Sequence, residues 1–379
     1  ECQRTVGKIA QLEQRINGLD IIGTKGIAHT RWATHGEPTA ENAHPQKDQE
    51  ENVFVIHNGI IENYYALKRW LQKQGVAFRS ETDTEVLAHL IGANFDGNLT
   101  EAVRQTMRQV EGTFGLAVLH RYVPDEIVVA RRGSPLIIGA GEDGNFVASD
   151  VAAMIRYTNQ VVHLQDNELA TVTAEDFSIA TAQAKPIRRR MQTVDWRAED
   201  AELNGFPHFM LKEIYEQPET IKNAMRGRIE PGEGVPKLGG ILPVWDRLRT
   251  CHHIVIVACG TSYYAGCVGR YIFEKLTEID VEVELASEFR YRKLNFPENT
   301  FVIALSQSGE TADTLAGIRE AKRKGANLLG IINVVGSSIS RETEAGIYNH
   351  AGPEIGVAST KNFTSQLSVL TLLALLLGR

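Results

Sequence analysis

The feature that most constrains this chain is a pattern that occurs twice in its last third. Residues 254–258 and 301–305 are unbroken apolar runs, each passing straight into a turn rich in Gly, Ser and Thr and then into a helix-forming stretch. A strand without polar alternation is buried on both faces, which requires helices above and below it and so a parallel sheet. A third run, 327–334, has the same character. Right-handed crossovers between such strands predict an α/β doubly wound parallel-sheet domain over residues 245–379.

The two turns are Cys259-Gly260-Thr261-Ser262 and Ser306-Gln307-Ser308-Gly309-Glu310-Thr311. At each, backbone amides and the positive end of a helix dipole converge, which suits an anion. Ser and Thr also cap helices with no ligand involved. Two such turns in one sheet, the second with polar or Gly residues in succession, tip the reading toward phosphate. The chain lacks G-x-G-x-x-G and G-K-[ST], so a dinucleotide or a Walker-type nucleotide is disfavoured and a small phosphorylated molecule is expected. The net charge is −7, so local donors and not a basic field must hold that phosphate, and a nucleic-acid role is not expected.

The first half reads differently. Short strands at 53–57, 115–120, 126–131, 136–140 and 145–149 alternate with turns and with amphipathic helices at 63–74 and 83–94, an α+β pattern of mostly antiparallel strands. Asp83 stands where a helix N-cap belongs. Basic, aperiodic 185–190 marks a connection, giving domains at 1–177 and 245–379 with an intervening linker and helix at 178–244. Three separated positions suit a free amino acid bearing an amide. Arg31 offers a planar bidentate donor for a carboxylate, Asp83 a partner for an ammonium, and Asn58 with the amide of Gly59 a pair of donors for an oxyanion. Each also has an ordinary reading as a surface charge, a helix cap or a turn signal. His29, His35, His44 and His57 lack metal-ligand spacing, so no metal is expected. The four cysteines form no C-x-x-C pair, no signal peptide is visible, and the apolar stretch 367–377 is short of the roughly 20 residues of a spanning helix. A cytoplasmic protein with reduced thiols and no membrane segment is expected.

Ser306–Thr311 matches the S-x-S-G-x-T turn and resembles the sugar isomerase (SIS) domain. That resemblance implies that Gly260, Thr261, Ser262, Ser306, Gln307, Ser308 and Thr311 hold a sugar phosphate. It also implies that Val357 and Ser359, in a second family-like stretch at 354–361, lie beside the sugar. In the first half, HTRWATHG (29–36), HNGIIENY (57–64) and ETDTE (81–85) resemble the class II glutamine amidotransferases with an N-terminal nucleophile. The fold implied there is α+β, with antiparallel sheets and helices. Arg31 and Asp83 would bind the glutamine backbone groups, Thr34 and His35 would sit in a closing loop, Trp32 would gate the ammonia passage, and Asn58 and Gly59 would form the oxyanion hole.

Together the two resemblances imply transfer of ammonia from glutamine to fructose 6-phosphate, giving glucosamine 6-phosphate and glutamate, with no metal or organic cofactor and with a homodimer formed through the SIS part. Two alternatives stay open: a sugar-phosphate-binding SIS regulator, which would need a helix-turn-helix not seen here, and another class II amidotransferase, which would need a pyrophosphate or ATP site. The family nucleophile is an N-terminal Cys followed by Gly. Cys2 follows Glu1 and precedes Gln3-Arg4, so it is read as an ordinary strand residue, and this chain is expected to be a piece of a longer protein that releases no ammonia alone.

Overall fold

Side-chain alternation organises the first half. In the strand Gly112–His120, Leu116 and Val118 face one way and Ala117 the other. Leu116 and Val118 join Val128 and Ala130 in a core with Leu87, Leu90, Ile91, Val103 and Met107 of two helices. Ala117 joins Val129, Ala170, Ile138 and Val162 in a core between two sheets. The computed structural model describes residues 1–31, 36–194, 196, 201–230 and 232–378. It divides into two units, 1–154 with 160–193 and 155–159 with 194–379.

The first unit has a seven-stranded sheet in the order Gln46–Lys47, Val53–Ile61, Gly112–His120, Val123–Arg132, Glu168–Val172, Phe177–Thr181, Pro186–Ile187. Its four-stranded partner sheet runs Gln192–Thr193, Gln160–His163, Ile137–Gly141, Gly144–Ala148. Every strand pairing in both sheets is antiparallel. Helices Thr84–Asn94 and Leu99–Gln109 cover the outer face of the large sheet.

In the second unit, α1 (Phe209–Met225) precedes the sheet. Then come β1 (His253–Ala258), α2 (Gly260–Leu276), β2 (Asp280–Leu285), β3 (Phe301–Ser306), α3 (Ala312–Arg323), β4 (Asn327–Ile332), β5 (Ala345–Tyr348) and α4 (Lys361–Leu377). The strands are all parallel in the order β2-β1-β3-β4-β5. One face packs Ile254, Ile256, Ile303 and Leu305 against Phe273 of α2 and Leu370 of α4. The other packs Val255, Val257, Val302 and Ala304 against Leu315 and Ile318 of α3. Antiparallel sheets with helices, followed by a doubly wound parallel sheet, are what the strand patterns predict. The apolar stretch at 367–377 is part of the buried helix α4, and among the described residues no helix is long and apolar enough to cross a membrane.

Three local expectations differ from the structure. Cys2 lies in no strand and is half-buried. Strand β2 escaped prediction because it is an edge strand with exposed Asp280 and Glu282, so the continuous apolar signal of a central strand is missing. Helix α2 begins at Gly260 itself, inside the Cys259–Ser262 turn, and not after it.

Leu305 is fully buried in the central strand immediately before the second turn. Leu305→Ala should cost about 3 kcal/mol through lost burial and a residual cavity, read as a lower urea midpoint with little change in slope.

Candidate functional site

The strand Val53–Ile61 stays in regular pairing to its end, and its last residues position the first site. Gly59 has φ +137, and a Cβ there would lie 2.2 Å from the carbonyl oxygen of Thr113 on the paired strand, so only glycine fits. This lets the backbone at 58–59 pass close to its neighbour. A cavity of about 340 Å³ opens there, lined by Arg31, Asn58, Gly59 and Asp83 together with His29, His44 and His57. Three separated stretches of sequence thus meet around one space. Trp32, Thr34 and His35 lie outside the described residues.

Asp83 stands at the N-cap position of its helix but does not cap it. Its backbone is already helical, and its Oδ2 accepts from the amide of Ile61 at 2.8 Å. The carboxylate is therefore tied to the strand that carries Asn58 and Gly59. Glu85 holds the preceding turn: its carboxylate accepts from the amides of Arg79 and Ser80 and from the Ser80 hydroxyl. Arg31 is braced by donation to the carbonyls of Gly36 and Glu37, both at 3.1 Å.

Spacing along the chain gives no sign of what His29, His44 and His57 do; their partners do. Each ring is assigned a tautomer by its partners. The Thr84 hydroxyl donates to His57 Nδ1 at 3.0 Å, while His57 Nε2–H donates to the Thr113 carbonyl at 3.2 Å. The amide of His57 donates to His44 Nδ1 at 3.3 Å. His44 stacks on His29, with ring centroids 4.3 Å apart. His29 Nε2–H donates to Asn58 Oδ1 at 2.6 Å. Oδ1 only accepts, so the Asn58 amide is oriented with its NH₂ group away from His29. Asn58 Nδ2 and the Gly59 amide are donors of the kind that stabilises charge developing on an attacked carbonyl oxygen.

Burial keeps these rings neutral. His44 is pushed down to about 2, chiefly by desolvation and then by its nearness to other cation-forming groups, His29, His57, Arg31 and Arg4. His29 and His57 are lowered by burial too, against the hydrogen bond to Asn58 in the first and the Asp83 charge in the second.

The second site lies at the carboxyl edge of the parallel sheet. Ala258 and Leu305 are register partners, so the turns after β1 and β3 emerge side by side. With strand order β2-β1-β3-β4-β5, the chain leaves β1 in one direction and returns on its other side as β3, which makes this gap the topological switch point where such sheets bind ligands. Ser306 Oγ accepts from the amide of Gly309 at 3.0 Å and is 3.3 Å from Thr311 Oγ1. Ser308 Oγ accepts from the amide of Glu310 at 3.1 Å. Gly309 has φ +65, and a Cβ there would fall 2.0 Å from Ser337 Oγ. The turn is braced from behind by the amide of Ile339 on the Gly309 carbonyl and that of Asn333 on the Gln307 carbonyl. Gly260, at φ +57, and Thr261 open α2, and Ser262 is nearly buried in its first turn.

The stretch with Val357 and Ser359 is held separately. Ser359 Oγ donates to Glu354, whose carboxylate also accepts from the amides of Thr360 and Asn362. Val357 is 94% exposed, on a loop pinned by Glu213 of α1, which accepts from the amides of Ile355 and Gly356. No contact found among the described residues joins Val357 or Ser359 to the two turns. The Glu213 anchor, across 142 positions, left no trace in local sequence pattern.

Residues 15–227 match a family described as a glutamine amidotransferase domain, and residues 247–376 match the SIS domain. The chain belongs to the glutamine amidotransferase domain family and carries an SIS domain after it. Among curated relatives it is 50% identical to the glutamine–fructose-6-phosphate aminotransferase [isomerizing] of Chlorobaculum tepidum, over 98% of this chain and 62% of that protein. It is 48% identical to the protein of the same name from Clostridium tetani, over 97% of this chain and 60% of the relative. The protein of that name from Thermus thermophilus is 48% identical over 98% and 61%. The chain thus spans about three-fifths of the length of these relatives.

The neutral histidines carry a pH consequence. Unfolded His44 takes up a proton below pH 6.5, whereas folded His44 does so only near 2, so stability falls as pH drops through this window. The slope from one such group is about 1.4 kcal/mol per pH unit. His44→Asn should flatten the pH dependence of unfolding free energy between about pH 6 and 4 by up to that amount, measured by denaturant titration at each pH.

Proposed function

We propose that this chain is the glutamine-using part and the first sugar-phosphate part of an enzyme that transfers ammonia from glutamine to fructose 6-phosphate, yielding glucosamine 6-phosphate and glutamate. The observation that carries the reading is the gathering of Arg31, Asn58, Gly59 and Asp83 on one cavity in a chain that also sets two hydroxyl-rich turns at the switch point of a parallel sheet. Arg31 takes the glutamine carboxylate and Asp83 its ammonium. Asn58 Nδ2 and the Gly59 amide receive the oxyanion formed as the side-chain amide undergoes acyl transfer. On the family resemblance, Thr34 and His35 serve in a loop that closes over glutamine and Trp32 gates the passage of ammonia, which keeps ammonia from protonation and loss to water.

In the second unit Gly260, Thr261, Ser262, Ser306, Gln307, Ser308 and Thr311 hold the phosphate and sugar hydroxyls, with Val357 and Ser359 approaching the sugar. The domain division follows as an amidotransferase part over 1–177, a linker and helix over 178–244 and an SIS part from 245. The reaction calls for no metal or organic cofactor. We place the protein in the cytoplasm, acting as a homodimer through the SIS part.

Two binding measurements test the halves separately. L-Glutamine should bind this chain in calorimetry, and Asp83→Asn should weaken it at least about tenfold, since a buried charge pair is lost. Unchanged affinity would remove Asp83 from the ammonium site. Fructose 6-phosphate should bind and Ser308→Ala should weaken it about five- to tenfold; no binding by the folded wild-type chain would sink the sugar-phosphate reading.

A further inference from the structure

Ser262 faces a partner that the turn itself does not supply. Its Oγ lies 3.0 Å from Nε2 of Gln366, in the first half of α4 and 104 residues away. Gln366 is only 1% exposed and Ser262 8%. An amide nitrogen only donates, so the Ser262 oxygen accepts and its own proton must point elsewhere. Ser306 and Ser308 show the same polarity, their oxygens accepting from the amides of Gly309 and Glu310. Ser262 and Ser308 therefore each have an oxygen lone pair occupied by an N–H group, leaving their O–H groups to serve as donors. Ser306 has the same inward acceptance, with its proton shared with or opposed by Thr311. Hydroxyls sorted in this way suit a ligand group that only accepts, as a phosphate dianion does.

The local cost supports a dedicated role. Gln366 Oε1 is buried and has no hydrogen-bond partner among the described residues. An unpaired buried carbonyl is destabilising, and an apolar side chain of similar length would fill the same space without it. What the glutamine adds at this position is a donating NH₂ group, and its hydrogen bond goes to Ser262.

We propose that Gln366 is a positioning residue, acting through Ser262, that fixes this hydroxyl as a donor toward the phosphorylated ligand of the β1–β3 crevice. The proposal rests on the sugar-phosphate reading above. The opposite amide orientation would make Ser262 donate to Oε1 and turn a lone pair toward the ligand, which disfavours phosphate.

The test is a double-mutant cycle on this 379-residue chain, with fructose 6-phosphate as the probe in calorimetry. Gln366→Met removes the donor while keeping length and apolar volume. It should raise Kd about five- to tenfold, the effect of one hydrogen bond. Ser262→Ala should have a similar effect. The double variant should bind no more than about twofold weaker than Ser262→Ala, because both changes remove the same interaction. Gln366→Met binding like wild type would overturn the proposal, and so would effects of the two changes that multiply. Should Gln366→Met not fold, as judged by near-ultraviolet circular dichroism, Gln366→Glu keeps the shape, removes the donor and should weaken binding at least about tenfold. Wild-type affinity in that variant, or loss of fold in both, makes Gln366 a packing residue and ends the proposal. If wild type itself does not bind the probe, the sugar-phosphate reading fails as well; if wild type binds and Gln366→Met binds equally, only this inference fails.

Discussion

The parallel pairing of β1 with β3 is the constraint on which the second unit depends. Because Ala258 is in register with Leu305, two strand-to-helix turns leave the sheet at the same level and on neighbouring strands. Every later feature of that site follows from this register. The starts of α2 and α3 lie at the same sheet edge, and α4 packs against α2 closely enough for Gln366 to reach Ser262. Were β2 inserted between β1 and β3, the same residues would form two unrelated helix caps.

The first unit depends on a different device. Its polar site is assembled against uncharged imidazoles, buried at His44 and His57 and half-buried at His29, each with its tautomer set by a neighbour. The line from Thr84 through His57 and His44 to His29 ends on the Asn58 amide, so burial that lowers basicity also fixes direction. A charged histidine here would have to be desolvated beside other histidines and Arg31, which explains the depth of the His44 shift. Gly59 completes the arrangement because its missing side chain lets the strand run against Thr113.

Much of this was legible in the chain. The unbroken apolar strands made a parallel sheet the only economical solution, and the two hydroxyl-rich turns were visible as strand-to-helix junctions at its carboxyl edge. Arg31, Asn58, Gly59 and Asp83 could be picked out by chemical type, and the structure gathers them on one cavity. Other features were hidden for identifiable reasons. Asp83 resembles a helix cap locally, and only the approach of Ile61 shows that it braces a strand. Glu213 reads as one charge on an amphipathic helix until the loop at 355–356 arrives to be pinned. Gln366 falls in a helix whose apolar residues dominate its pattern, so its single polar task could not be seen.

Sequence by itself determined the classes of element and the chemistry available at each turn, because both follow from periodicity and from side-chain donors and acceptors over a few neighbouring residues. Tertiary structure alone decided which of those groups meet and which way each hydroxyl and imidazole is polarised. Hydrogen-bond direction is a property of pairs, and here the deciding partners stand 29 residues apart for His29 and Asn58 and 104 apart for Ser262 and Gln366. No local pattern encodes such a pairing; it exists only once the packed cores have brought the two ends together.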